Sequence, residues 1–409
     1  MEKKFDIQII RGGVCAPEGF LAAGVHCGIR RNRSKKDLAL IYSAAPCTAA
    51  AVYTRNRVKG APLEVTRAHI AKGKMHAVIC NSGIANTCNA GGAEVAEKTC
   101  QMVGAALGIP ATSVAVASTG VIGQPLDPAP IERGIPELVA NLVPDCSSAA
   151  EAIMTTDTVS KQVAVQFYVG GKRCVIGGIA KGSGMIHPDM ATMLVFLTTD
   201  AAISSAMLRK ALKGDVGSTF NMLSVDGDTS TNDMVLVLAN GEAGNPEITE
   251  DGDDFETFMC ALNTVNVRLC RMLAGDGEGA TKLLECVTEG ADTLADARKA
   301  AKAVICSSLV KAAMFGADAN WGRVLCAIGY SKAKFDPDKV DVTFRSAAGE
   351  IVVCKDGAAV EFSEDTAKKI LLEDDITITV KMGDGAFSAS AWGCDLSYDY
   401  VKINGDYRT

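Results

Sequence analysis

The sequence predicts an α/β chain, mixed in element order, with largely antiparallel sheets and helices layered into two subdomains. Three observations carry that prediction. Apolar runs of strand length recur along the chain, and many of their links are too short for a crossover helix, which leaves antiparallel pairing. Longer stretches between them show helical apolar spacing. At 409 residues the chain exceeds the size at which a single hydrophobic core stops growing.

The elements follow in order. Residues 77–80 form a short apolar run that ends in the turn-rich Asn81-Ser82-Gly83. The spacing predicts a helix over 93–107, closed by Gly108 as a cap. Residues 114–117 read as a strand entering Ser118-Thr119-Gly120, and 162–169 and 174–179 as a hairpin across Gly170-Gly171-Lys172. A strand is expected over 192–197, a helix over 204–213 and a buried strand over 234–238. Two long helices cover 255–272 and 294–314. In the last hundred residues, 340–344, 351–354 and 376–380 read as strands, with a helix over 366–372 and an alternating tail from Phe387. No repeat is present, and the subdomain break is expected near residues 190–200.

Composition excludes several classes of function. Hydrophobic residues make up 48% and charged residues 22%, the balance of a globular protein rather than a disordered one. A net charge of −7 disfavours a nucleic-acid partner. The opening Met1-Glu2-Lys3-Lys4-Phe5-Asp6 lacks the apolar core of a signal peptide, and no apolar run approaches the length of a membrane span. Fifteen cysteines without C-x-x-C spacing read as reduced thiols, so the expected location is the cytoplasm, with no membrane contact. The four histidines form no ligand pattern, and no metal is expected. Phosphate-loop, dinucleotide and serine-elbow motifs are missing: Gly182-Ser183-Gly184 is followed by His187 where the third glycine should stand.

One segment points to chemistry. Lys181-Gly182-Ser183-Gly184-Met185-Ile186-His187-Pro188-Asp189-Met190-Ala191-Thr192-Met193-Leu194 joins a glycine-rich loop to a threonine opening an apolar strand. A β-branched residue in a strand is ordinarily structural. Here Lys181 is isolated in an apolar stretch, and the glycines mark sharp bends before Thr192.

This segment resembles the signature of the ornithine acetyltransferase (glutamate N-acetyltransferase) family of arginine biosynthesis, in which the chain cuts itself before the threonine. The likeness extends over nearly the whole chain. It includes Ser118-Thr119-Gly120-Val121-Ile122-Gly123, Met154-Thr155-Thr156-Asp157-Thr158, Asp226-Gly227-Asp228-Thr229-Ser230-Thr231-Asn232-Asp233 and Gly275-Asp276-Gly277-Glu278-Gly279-Ala280-Thr281-Lys282. It also includes Gly316-Ala317-Asp318-Ala319-Asn320-Trp321-Gly322-Arg323 and Asn404-Gly405-Asp406-Tyr407-Arg408-Thr409.

The resemblance implies the layered fold of that family and cleavage between Ala191 and Thr192. Residues 1–191 would become an α chain carrying the oxyanion hole, and 192–409 a β chain that begins with the nucleophile Thr192. A freed α-amine, with a reference pKa of about 7.7–8.0, suits the task of taking the hydroxyl proton near neutral pH. The acetyl group of N2-acetylornithine would pass to Thr192 and then to glutamate in a ping-pong cycle. Thr119 and Gly120 are implied as the oxyanion donors, and Thr155, Lys181, Thr192, Glu278, Asn404 and Thr409 as substrate-binding positions. Lys181 suits a carboxylate and Glu278 an ammonium. No cofactor is implied, acetyl-CoA stays open as a co-substrate, and the expected assembly is two α and two β chains. One departure is Ile84, where the family more often carries an asparagine. Two rival readings stay open: an aminopeptidase or amidase with an N-terminal nucleophile, and a non-catalytic relative that binds an amino acid.

Overall fold

The computed structural model describes residues 5–187 and 193–405. Among them, the first third of the chain holds β1 (Gln8–Ile10), β2 (Phe20–Val25), β3 (Leu38–Tyr53), α1 (Ala61–Lys72), β4 (Met75–Ile84), α2 (Gly92–Leu107), β5 (Val114–Val121), α3 (Pro128–Ala140) and α4 (Ser147–Ala152). The middle carries β6 (Lys161–Val169), β7 (Lys172–Lys181), β8 (Leu194–Thr199), α5 (Ser205–Val216), β9 (Met234–Ala239) and α6 (Asp253–Gly275). Then come β10 (Leu283–Ala291), α7 (Leu294–Cys306), α8 (Ser308–Phe315), α9 (Trp321–Gly329), β11 (Asp341–Ser346), β12 (Gly349–Lys355) and β13 (Ala358–Ala359). The chain closes with α10 (Glu364–Leu371), β14 (Asp375–Lys381), β15 (Phe387–Cys394) and α11 (Tyr398–Gly405).

The strands form two mixed sheets. The larger runs β1-β6-β7-β8-β9-β3-β4-β5, with β2 on the flank of β3; the smaller runs β13-β12-β11-β14-β10-β15. Among the strands of the described residues, β4–β5, β8–β9 and β10–β14 pair in parallel and the others antiparallel, so the antiparallel character holds. β8 and β9 are buried at every position, and they read as unbroken apolar runs because both faces are covered. The 16-residue β3 bends at a register shift between Tyr42 and Cys47: its first half pairs with β2 and β4, its second with β9.

The division between the sheets falls later than residues 190–200. β8 and β9 complete the first sheet, and the second begins at β10. The stretch 294–314 is not one helix. Ser307 ends α7 with φ −72° and ψ 111°, outside the helical region, and caps α8 by accepting the Val310 N–H at 3.3 Å. Gly108 closes α2 in the left-handed conformation, φ 68°.

α6 and α7 share one core with both sheets: Phe258, Val265 and Leu269 of α6 and Ala300 and Val304 of α7 join Val165 and Ile176 of the first sheet and Ile376 and Ile378 of the second. A separate core under β4 and β5 takes Val65, Val103 and Ile135 from α1, α2 and α3. All fifteen cysteines are free. No helix among the described residues is long and apolar enough to cross a membrane.

Candidate active site

β4 and β5 run side by side, with Ser82 opposite Thr119 and Gly83 opposite Gly120. Gly120 has φ +131°, and a Cβ there would lie 2.2 Å from the Gly83 carbonyl carbon, so only glycine fits. Thr119 beside it is buried. Ser118 Oγ donates to Asn81 Oδ1 at 2.6 Å, and Asn81 Nδ2 donates to the Ile84 carbonyl at 2.9 Å. The pair is also tied to β9. Buried Asn232, two residues before Met234, donates through Nδ2 to the carbonyls of Ala85 (2.6 Å) and Ser118 (2.9 Å). Its Oδ1 accepts from the hydroxyls of Thr87 (2.6 Å) and Thr231 (2.5 Å).

Lys181 ends β7 opposite Leu194, the first residue of β8. Its ammonium lies 4.0 Å from Asp157, its one ion-pair partner among the described residues. Asp157 accepts hydrogen bonds from the Thr155 N–H (3.0 Å), the Gly182 N–H (2.6 Å) and Lys161 Nζ (2.7 Å). Burial alone would raise the Asp157 carboxyl, but Lys181 and Lys161 outweigh it and hold the group well below the usual carboxylate range. Lys161 is fully buried and also pairs with Asp276 at 2.6 Å; Asp276 in turn accepts the Thr158 backbone N–H. Asp157 is thus shared between Lys161, in contact at 2.7 Å, and Lys181, 4.0 Å away.

Glu278 packs against the glycine loop that follows Lys181. Its N–H donates to the Ser183 carbonyl at 2.8 Å, and Asn404 Nδ2 of α11 donates to its Oε2 at 2.7 Å. A Cβ on Gly184 would lie 2.3 Å from that carboxylate, which explains the glycine. Asp226 fixes the next turn by accepting the N–H groups of Met185 (2.6 Å) and Ile186 (2.9 Å). Thr155, Lys181, Glu278 and Asn404 are thus linked around residues 181–184. Ala191, Thr192 and Thr409 lie outside the described residues. Met193, the next residue after Thr192, accepts the Met234 N–H at 2.9 Å through its carbonyl as the chain enters β8.

Asp233 lies between Asn232 and Met234. Burial pushes its carboxyl well above the usual range, only partly offset by a hydrogen bond from Ser230 and by the Lys181 charge. Its Oδ2 has no hydrogen-bond partner among the described residues. Asp157, Lys161, Asp276, Asn232 and Asp233 received no role from sequence reasoning. A charged or amide side chain looks solvated in sequence, and only the fold reveals it as buried. No group of three or more described His, Cys, Asp or Glu residues is placed to hold a metal ion.

The site residues thus comprise a buried threonine beside a positive-φ glycine, a lysine at the end of β7 and a carboxylate held by an asparagine. The ArgJ family profile matches residues 21–409. The arginine biosynthesis bifunctional protein ArgJ of Symbiobacterium thermophilum is 52% identical over 406 residues, spanning 98% of this chain and 100% of that protein. The protein of the same name from Caldanaerobacter subterraneus subsp. tengcongensis is 52% identical over 405 residues, with the same shares. A crystal structure of ornithine acetyltransferase complexed with ornithine, from Mycobacterium tuberculosis, is 40% identical, covers 45% of this chain and 100% of its own, and gives a TM-score of 0.42. The chain is therefore an acetyltransferase enzyme of arginine biosynthesis. It belongs to the ArgJ family.

Proposed function

We propose that the chain moves an acetyl group from N2-acetylornithine to glutamate through an ester on Thr192. In the processing step, Thr192 Oγ attacks the Ala191 carbonyl carbon, the peptide C–N bond breaks, and the freed amine takes the hydroxyl proton. Water then opens the ester and leaves Thr192 with a free α-amine. In turnover that amine takes the Thr192 hydroxyl proton as Oγ attacks the acetyl carbonyl of the donor. The oxyanion that forms is met by the Thr119 hydroxyl and the Gly120 N–H. Ornithine leaves with the proton, glutamate's amine attacks the acetyl ester, and N-acetylglutamate departs. In this reading Lys181 holds the α-carboxylate common to both substrates, and Glu278 reads the ornithine ammonium. Neither a cofactor nor a metal ion takes part.

One observation carries the reading. β8, which Met193 enters, lies between the strand ending in Lys181 and the strand whose preceding Asn232 holds the Ser118 carbonyl, and this order supports the reading. The relatives' printed role in arginine biosynthesis supports the substrate pair.

The test is an assay with labelled N-acetylornithine, with and without glutamate. Equal yields of ornithine and N-acetylglutamate, with parallel double-reciprocal lines, are expected. Free acetate formed without glutamate would make the enzyme a hydrolase instead. An uncut chain with no transfer would make it a binding protein.

A further inference from the structure

Two of the fifteen free cysteines meet. Cys15 lies in the turn between β1 and β2, where the Ala16 N–H donates to the Gly13 carbonyl at 3.0 Å. Cys146 lies in the link between α3 and α4. A hydrogen bond joins the two side chains, with the Cys15 thiol donating to the Cys146 sulfur. Neighbouring contacts fix the same meeting point. Cys15 Sγ lies 3.9 Å from the carbonyl oxygen of Val143, just ahead of Cys146 in the chain. A Cβ on Gly13, just ahead of Cys15, would lie 2.8 Å from Cys146 Sγ, so a glycine lets the two segments close on one another.

Both segments are also held from outside the pair. The Val14 carbonyl accepts the Thr198 hydroxyl of β8 at 2.7 Å, and a Cβ on Gly177 of β7 would lie 1.9 Å from the Gly13 carbonyl oxygen. On the other side, the Val143 carbonyl accepts the Ala22 N–H of β2 at 2.9 Å, and the Val143 N–H donates to the Ala22 carbonyl at 3.2 Å. The sulfurs therefore sit together in the folded chain without a covalent bond. Donation from the Cys15 thiol, aided by the backbone N–H groups of Cys15 and Val14, outweighs burial and lowers the Cys146 thiol to about 7. The same hydrogen bond raises Cys15, which keeps its proton. Burial instead raises Cys27, Cys47, Cys80 and Cys100, each to about 12. Cys146 is buried and Cys15 partly exposed, so a small oxidant reaches the pair past Cys15.

We propose that Cys15 and Cys146 form a redox-active dithiol site, which a hydroperoxide converts to a reversible intramolecular disulfide. The Cys146 thiolate attacks the terminal peroxide oxygen and the O–O bond breaks, leaving a sulfenic acid on Cys146. The hydroxide or alkoxide released takes up the proton that Cys146 had lost. The Cys15 sulfur then attacks the sulfenic sulfur, the S–O bond breaks, and the hydroxyl leaves as water with the Cys15 proton. Two thiols are oxidised and one peroxide is reduced. The new bond ties the β1–β2 turn to the α3–α4 link and closes a long covalent loop, which restricts the unfolded chain more than the folded one.

The test treats the purified, reduced protein with one equivalent of hydrogen peroxide, blocks the remaining thiols with iodoacetamide and maps peptides without reduction. A Cys15–Cys146 linked peptide should be the main disulfide, and dithiothreitol should remove it. Cys146 should be consumed at least about 10-fold faster than Cys80, because the thiolate is the reactive form. The oxidised protein should unfold at a higher denaturant concentration than the reduced protein. In Cys15→Ser that shift should vanish, and a sulfenic acid on Cys146, trapped by dimedone, should accumulate in place of the disulfide. No linked peptide, a different pair of cysteines forming first, or the same shift in Cys15→Ser overturns the site. If Cys15→Ser does not fold, the linked peptide in wild type decides the proposal on its own.

Discussion

At the scale of single residues, the proposed mechanism asks some groups to meet developing charge and others to hold the substrate. It gives the first task to Thr119, which is buried next to a glycine whose position admits no side chain. Thr119→Ala should therefore lower kcat by about 10²-fold and leave KM within a few-fold, because the donor matters chiefly as the oxyanion forms. A raised KM with unchanged kcat would make it a ground-state contact. The second task falls to Glu278. Its carboxylate is positioned by Asn404, and Glu278→Gln should penalise N-acetylornithine more than N-acetylglutamate, which has no side-chain ammonium. The loss should be roughly 10- to 100-fold in kcat/KM for the first donor. Equal ratios for the two donors would remove the ammonium role.

At the scale of elements, β9 is the hinge between the two halves of the site. Asn232, just ahead of it, satisfies two carbonyls and two hydroxyls from three segments of chain. Asn232→Ala removes four hydrogen bonds at once, leaving Thr87 Oγ1 only its longer bond to the Ala85 carbonyl at 3.3 Å, and each buried group left unpaired costs about 1–3 kcal/mol. Turnover should fall more than substrate affinity, as the Ser118-Thr119-Gly120 turn loses its tether; an unchanged kcat would show that the turn holds without it. Asp233 gives a pH signature. The folded chain holds this proton more tightly than the unfolded chain, so its contribution to stability is full below the ordinary aspartate value of about 3.9 and is lost as pH rises toward the folded value. Asp233→Asn should gain stability over wild type as pH climbs above about 4, by up to about 1.4 kcal/mol per pH unit. Denaturation midpoints for the two proteins across that range measure it; a gap that narrows with rising pH would contradict the raised value. Much at this scale was legible in the sequence. The 93–107 periodicity with its glycine cap and the hairpin across Gly170-Gly171 both stand as elements. The break at Ser307 was not, because helical apolar spacing continues through it while a serine cap interrupts the backbone.

At the scale of the whole molecule, the larger sheet takes strands from both sides of the 191–192 bond, so the two expected chains would stay interleaved after cleavage. That continuity explains why composition revealed no boundary. The Lys161–Asp276 pair is invisible in sequence because it joins residues 115 positions apart. Lys181, Glu278 and the Thr119-Gly120 turn stood out only through motif resemblance, since each alone is an ordinary residue type. The most direct measurement of the proposed mechanism is the intact mass of the protein after incubation with N-acetylornithine and no glutamate. Fragments of 191 and 218 residues are expected, about 20 and 23 kDa when the 42.6 kDa mass is divided by length, with one acetyl group on Thr192 of the larger. Thr192→Ala should remain whole and unacetylated. An uncut wild-type chain, a cut elsewhere, or an acetyl group on any other residue would contradict Thr192 as the nucleophile.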